Sequence, residues 1–361
     1  MSTVVIAPDS FKGSLRALDV ARAIAEGWHA VRPADELVLL PQADGGEGTL
    51  DAVEASVPGA VRRSAGSVTG PDGRPTPGEW LLLPDGTGVV ELAQASGLPL
   101  MLRPDPLGAT TRGLGEVMRA ALAAGVDELV VGLGGSASTD GGAGALSALG
   151  LRLLDARGSE TRILADIAEV DGELPAAPLR GVTLLTDVTS PLLGPTGAAA
   201  VFGPQKGATP AQVAQLEAGL AHFATLLGGD PSAPGSGAAG GTAYGLSVAW
   251  GARILLGADR IARHSGLLDA VERADVVLTG EGRFDAQSSS GKVVGRVLAL
   301  GHPRTGVIAG QVAADPGVWR ASLADLAGSA SAAMAEPAAW LRGAGALAAH
   351  QLSPREQEAS E

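Results

Sequence analysis

The chain has 361 residues, 45% of them hydrophobic, a formal net charge of −13 and no cysteine. That length holds one large α/β domain or two moderate ones with a sizeable core, while the acidic balance and the scattered arginines exclude a basic nucleic-acid face. The missing cysteines exclude disulfides, thiolate catalysis and Cys-ligated metals, and no apolar stretch reaches the roughly 18 to 20 residues that a membrane helix needs.

The N-terminus enters a strand pattern at once, without the basic stretch and apolar core of a signal peptide, which predicts a cytoplasmic protein. Val4 to Ala7 reads as a short strand. Pro8-Asp9-Ser10 follows, and Leu15, Leu18, Ala21, Ala25 and Trp28 recur at helical spacing, with Gly27 as the expected C-cap. A second strand, Leu37 to Leu40, leads through the loop ADGGEGT (43–49) into a helix near Thr49. Between Val61 and Glu91, short β runs separated by TGPDGRPTPG and PDGTG predict antiparallel strands. Leu129 to Val131 runs through GLGGSASTDGGAG (132–144) into a short helix ending at Gly150, and Thr183 to Leu185 is a strand ending at Thr186-Asp187. GSGAAGG (235–241) reads on composition as a flexible linker, or else as a backbone approach to a ligand. Val276 to Leu278 is a strand followed by the loop TGEGRFDAQSSSGK (279–292) and a helix from Val293, and no apolar pattern continues past Ser353, so a disordered tail is expected over 353–361.

Strands alternating with helices define an α/β protein with parallel sheets covered on both faces. The change of pattern at Val61 suggests two α/β domains. Residues 1–60 plus 275–350 would form a Rossmann- or flavodoxin-like domain with a parallel sheet, and 61–274 an inserted, partly antiparallel one.

The Gly132–Gly144 run reads as a strand-to-helix turn that holds an anion, foremost a phosphate. Gly132, Gly134 and Ala137 satisfy the G-x-G-x-x-G/A dinucleotide fingerprint, and the following strand Leu151 to Leu154 ends in Asp155, which opens the reading of an NAD-dependent hydroxy-acid dehydrogenase. Asp140-Gly141-Gly142 interrupts the helix that such a site requires. A P-loop fails outright, because Ala286 stands where its first glycine belongs and Val293 follows Lys292.

Charge points the same way as the glycines. Only three lysines occur, Lys12, Lys206 and Lys292, and all lie in Gly-rich segments of a chain whose other strong bases are arginines; a compact ammonium suits a cramped phosphate site. Asp9, Asp44, Glu47, Asp140, Asp187, Glu281 and Asp285 each follow a predicted strand, more carboxylates than helix capping needs. With the lysines and Arg283 they form the makings of a Mg²⁺ and phosphate site. His29, His222, His264, His302 and His350 show no ligand spacing, which argues against zinc. Ser10, Ser136 and Ser138 lack a G-x-S-x-G setting, so hydrogen bonding is their expected role.

APDSFKGSL from Ala7, ADGGEGT from Ala43, GLGGSASTDGGAG from Gly132, FGPQKGAT from Phe202 and TGEGRFDAQS from Thr279 resemble, in the same order, the bacterial glycerate kinase family of the glycerate 2-kinase type. The resemblance spans nearly the whole chain. It implies two α/β domains with an active-site cleft between them and transfer of a phosphoryl group from ATP to D-glycerate, giving 2-phosphoglycerate. The chain departs from the family pattern at Ser138-Thr139, at Thr189-Ser190 and at Phe284. On this footing Asp187, Lys12 and Lys206 are the expected catalytic groups. Ser10, Gly134, Gly135, Ser136, Asp140, Arg283 and Lys292 would bind substrate or nucleotide, and Mg²⁺ would be held from among Asp9, Asp44, Glu47, Glu281 and Asp285. The expected partners are D-glycerate and ATP, with neither nucleic acid nor membrane, and the protein would be a monomer or homodimer. A non-enzymatic small-anion binding protein is a third reading, disfavoured by so many loop carboxylates.

Overall fold

The computed structural model describes residues 1–288 and 292–353. Residues 289–291 of the loop before Val293, and the tail expected beyond Ser353, lie outside the described residues. In chain order the strands are β1 (Thr3–Ile6), β2 (Glu36–Leu39), β3 (Val61–Thr69), β4 (Pro75–Leu82), β5 (Thr87–Glu91), β6 (Glu128–Gly132), β7 (Arg152–Asp155), β8 (Ile167–Asp171), β9 (Val182–Thr186), β10 (Arg253–Leu256), β11 (Val276–Phe284), β12 (Thr305–Val312) and β13 (Trp319–Ser322).

One compact unit takes in Met1–Ala43, Asp51–Pro58 and the chain from Ala258 onward. Its five strands run in the order β13-β12-β11-β1-β2, all parallel. A parallel strand covered on both faces reads as a continuous apolar run, and Val4, Val5 and Ile6 are all fully buried. Alternation splits them between two cores. Val4 and Ile6 join Val276, Leu278 and Ile308 beneath the helices Ala17–Val31 and Pro337–Leu352. Val5, Ala7 and Val277 pack with Ala262, Leu267 and Val271 on the opposite face.

Two expectations are corrected in this unit. Gly27 lies inside the helix Ala17–Val31 and does not end it. A Cβ there would stand 1.9 Å from the Arg342 carbonyl oxygen, and one on Gly345 would stand 2.2 Å from that of Ile24, so these glycines let two helices pack backbone to backbone. The stretch from Thr279 to Phe284, read as loop because of its glycines, continues β11. Glu281 pairs with Ala309 and Arg283 with Gln311 of β12, and that long-range ladder outweighs local composition.

The second unit comprises Asp44–Leu50 and Gly59–Gly257. The loop ADGGEGT therefore groups mostly with this unit, and Ala258 to Ala274 with the first; the sequence division draws both the other way. Its six-stranded sheet has the order β10-β9-β6-β5-β4-β3. The pairs from β10 to β5 are parallel, and those from β5 to β3 are antiparallel. Gly73 and Gly86, both at positive φ, close the turns of the antiparallel part. β7 and β8 form a separate antiparallel pair. Gly235–Gly241 is not a linker: Gly237 N donates to Ser190 O at 2.9 Å, and a Cβ on Gly237 would stand 2.2 Å from Pro191 O. Among the described residues no helix is long and apolar enough to cross a membrane.

Candidate active site

In the first unit, β1 and β11 lie side by side and their carboxyl ends bring Pro8–Lys12 beside Thr279–Arg283. Asp9 N donates to Gly280 O at 2.8 Å, and Thr279 Oγ1 donates to Ala7 O at 2.9 Å. A Cβ on Gly282 would be in van der Waals contact with Phe11 and Lys12, which fixes Lys12 close to β11. Asp9 is buried and accepts from Ser10 N, whereas Lys12 and Arg283 are exposed. Glu281 has an enclosed oxygen, Oε1, without a hydrogen-bond partner. Burial pushes its carboxyl up; the Ser288 hydrogen bond and the charges of Lys292 and Lys12 oppose this, and Asp285 adds to it. Lys12, Lys292 and Asp285 thus all act on the Glu281 carboxyl. Asp285 is anchored by accepting from Gln287 N at 2.9 Å and lies 3.6 Å from Arg283 Nε. Ligands of open α/β sheets sit at such strand ends.

In the second unit, the Gly132–Gly144 loop is clamped between two other glycine-rich loops. Gly134 N donates to Gly45 O at 3.0 Å, and a Cβ on Gly134 would stand 2.4 Å from Gly46 Cα. On its other side, Gly141 N donates to Gly240 O at 3.0 Å, and a Cβ on Gly240 would stand 2.2 Å from Ser138 O. Close backbone approach is therefore the first reason for these glycines. The amides of Leu133, Gly134, Ala137, Gly141, Gly142, Ala143 and Gly144 all donate within the protein. Among the described residues of the loop, that leaves the amides of Gly135, Ser136, Ser138, Thr139 and Asp140 for the expected anion.

Asp140 serves the loop itself. Its carboxylate accepts from Thr111 N and Thr111 Oγ1, both at 2.8 Å, and from Gly142 N and Gly144 N, so it fixes the start of the helix Ala143–Leu149. Lys206 is only 2% exposed. Its Nζ donates to Ser136 Oγ at 2.8 Å and to the Ser138 carbonyl oxygen. Burial pushes the ammonium pKa down to about 7, against the attraction of Asp140. Ser138 Oγ and Thr139 Oγ1 are buried without a hydrogen-bond partner. Asp187 is exposed just beyond β9, which pairs with β6. Asp44 is buried and accepts from Gly46 N at 3.0 Å, and Glu47 is exposed.

Sequence reasoning missed Glu91, which is 2% exposed. Its two carboxylate oxygens accept from Gly48 N at 3.0 Å and Leu50 N at 2.9 Å, holding the ADGGEGT loop. An acid closing a strand with an apolar helix directly behind it was the available signal, since such a carboxylate needs buried donors.

Among the described residues no three acidic or histidine side chains gather into a metal cluster. The candidate ligands are divided, with Asp9, Glu281 and Asp285 in the first unit and Asp44 and Glu47 in the second. Mg²⁺ keeps several waters and takes one or two carboxylates plus substrate phosphates, a demand that the unpaired Oε1 of Glu281 fits. The dinucleotide fingerprint does not hold in space. Asp155 ends β7, which pairs antiparallel with β8 outside the main sheet, and accepts from Arg157 N and Ser159 N as a turn residue; a dinucleotide fold requires that strand to be a parallel neighbour of β6.

Parallel strands ending in loops that carry lysines and carboxylates are a setting suited to an α/β phosphotransferase. The glycerate kinase family model matches residues 4–353. Glycerate 2-kinase of Escherichia coli K12 is 40% identical over 335 residues, 87% of each chain, and glycerate kinase of Bacillus subtilis 168 is 44% identical over 303 residues, 80% of this chain and 79% of that one. A crystal structure from Salmonella typhimurium LT2 is similar with a TM-score of 0.79 and 36% identity, covering 97% of this chain and 98% of that one. The chain belongs to the glycerate kinase family.

Proposed function

We propose that this protein transfers the γ-phosphoryl group of ATP to D-glycerate and releases ADP and 2-phosphoglycerate. The observation that carries this reading is the packing of Pro8–Lys12 beside Thr279–Arg283 at the ends of β1 and β11, which gathers Asp9, Lys12 and Glu281, in a chain 40% identical to a glycerate 2-kinase.

Phosphoryl transfer asks little covalent work of a protein; positioning and charge do most of it. The glycerate hydroxyl attacks the γ-phosphorus, its proton passes to a carboxylate, and the bond to ADP breaks with its electron pair left on the β-phosphate oxygen. Asp187, exposed beyond β9, takes the part of that carboxylate. Lys12 and Lys292 neutralise phosphoryl or carboxylate charge. Lys206 acts from inside the protein, fixing Ser136 and the Ser138 carbonyl so that the loop keeps its shape. Glu281, with Asp285 or Asp9, would hold Mg²⁺, which shields the phosphate charge when bound.

The test is an ADP-release assay with each component omitted in turn. Release that requires both D-glycerate and Mg²⁺, with phosphorus NMR showing the 2-phosphate ester, is the expected result. ADP release indifferent to glycerate, or a 3-phosphate product, would overturn the corresponding part of the reading.

A further inference from the structure

Within the second unit, Ser136 and Lys206 are brought together by two short backbone devices. On one side, Ser136 is bridged to Gly97: Leu98 N donates to Gly135 O at 2.9 Å, and Ala137 N to Ser96 O at 3.0 Å. On the other, Lys206 ends the short helical turn Pro204–Lys206, which Gly207 closes at a φ of 91° by donating to Pro204 O at 3.0 Å. A Cβ on Gly207 would stand 2.6 Å from Pro104 Cβ, so this turn has no room to shift on that side. The separation of 2.8 Å between Lys206 Nζ and Ser136 Oγ is therefore held from both sides.

The surroundings of the lysine favour a neutral amine. Among the described residues no carboxylate pairs with it; Asp140 acts on it only as a charge, its oxygens being taken by Thr111, Gly142 N and Gly144 N. A neutral amine has two N–H groups and one lone pair. The Ser138 carbonyl oxygen can only accept, so it takes an N–H. Ser136 Oγ is the other partner, and its hydroxyl is the group that can give a proton to the lone pair. A nucleophile beside a base that a third group orients has this arrangement. Of the three hydroxyls in the loop, Ser136 is the one with an open edge: it is 9% exposed, against 0% for Ser138 and 3% for Thr139, and the exposed Gly135 precedes it. The amides of Gly135 and Ser136, without an acceptor among the described residues, are the donors available to an oxyanion formed there.

We propose that Lys206 and Ser136 form a nucleophilic dyad, which makes Ser136 a site of covalent acylation by small activated esters. This chemistry is separate from glycerate phosphorylation and does not depend on it. Ser136 Oγ bonds to the ester carbonyl carbon while its proton passes to Lys206 Nζ, and the displaced electron pair rests on the carbonyl oxygen, facing the Gly135 and Ser136 amides. As the carbonyl re-forms, the bond to the leaving oxygen breaks with its electron pair on that oxygen, which takes the proton from Nζ. The products are acyl-Ser136, the free alcohol or phenol and a neutral amine. A serine–lysine pair needs neither a histidine nor a G-x-S-x-G elbow, so the absence of that motif does not count against it.

The experiment treats the whole protein with p-nitrophenyl acetate and follows intact mass and the acetylated peptide. The fastest adduct should be an acetyl group on Ser136, which peptide mapping separates from the N-terminus and from the chain's three lysines. Its rate should rise with pH through about 7 and then level off, because the base works only while Lys206 is neutral, with Asp140 the charged group acting on it. Lys206→Met should slow acetylation by about 10² or more, and Lys206→Arg should not restore it, since a guanidinium stays protonated. Ser136→Ala should lose the adduct and Ser138→Ala keep it. A wild-type protein left unmodified at Ser136, or a Ser136 adduct whose rate Lys206→Met does not change, overturns the dyad. A rate that keeps climbing into the ordinary lysine range overturns it as well, and should the Lys206 variants fail to fold, the site and pH profile of the wild type decide.

Discussion

Lys206 shows how much of a side chain's behaviour is set by its surroundings. Its rarity in a lysine-poor chain makes it conspicuous in the sequence, but its burial and its bonds to Ser136 and Ser138 come from loops nearly seventy residues apart and are legible only in space. Its folded pKa of about 7 lies below the ordinary lysine value of 10.5. Below pH 7 both folded and unfolded states hold the proton and the full cost of burying the charge is felt. Between pH 7 and 10.5 the unfolded chain binds more protons, so the lysine's contribution to stability improves as pH rises. The stability of the wild type relative to Lys206→Met should accordingly grow with pH across that window, by at most about 1.4 kcal/mol per pH unit, in urea melts at pH 6.5 to 9.5. A flat difference would show that the ammonium stays charged. For the chemistry, Asp187→Asn should lower kcat by about 10² to 10⁴ if it is the base, and Lys12→Ala by about 10², in the ADP-release assay. Near-native rates in both would remove them from the mechanism.

At the level of elements, glycine has a different meaning from the one its motifs suggest. A Gly-rich turn between strand and helix reads as a phosphate cradle, yet Gly134 and Gly240 are first of all places where one loop's backbone meets another's. Gly134→Ala would drive a methyl into Gly46 Cα, at a cost of roughly 1–3 kcal/mol by overpacking, and urea unfolding should register that loss before any kinetic effect is interpreted. Glu91→Ala strips the ADGGEGT loop of its two acceptors and leaves the amides of Gly48 and Leu50 unpaired, which costs about 1–3 kcal/mol; faster hydrogen exchange over 45–50 is the readout. The strands themselves were largely readable, because apolar runs such as Val4–Ile6 satisfy both faces of a parallel sheet. The extension of β11 through Glu281 and Arg283 was not, since nothing local to a Thr-Gly-Glu-Gly-Arg stretch announces the ladder that β12 offers it. Gly27 failed as a stop signal for the same kind of reason: its partner is Arg342, far along the chain.

For the molecule as a whole, chelation should separate catalysis from folding. No cluster of three metal-ligating side chains exists among the described residues, and each unit has its own hydrophobic core. EDTA should therefore abolish ADP release while leaving the thermal melting curve in place; a fall in Tm would reveal a structural metal. The sequence by itself determined the α/β class, the antiparallel stretch after Val61, the lysines and acids worth testing, and through five ordered motifs the family, because strand periodicity, residue chemistry and motif order are written along the chain. Tertiary structure alone decided that β7 leaves the main sheet and so removes the dinucleotide fingerprint. It also decided that Asp140 holds its own loop, that Lys206 is buried, and that the glycine loops pack on one another. Each of these depends on which distant backbone or charge stands within a few ångströms, and hydrogen bonding, desolvation and steric exclusion act over that distance and not over sequence separation.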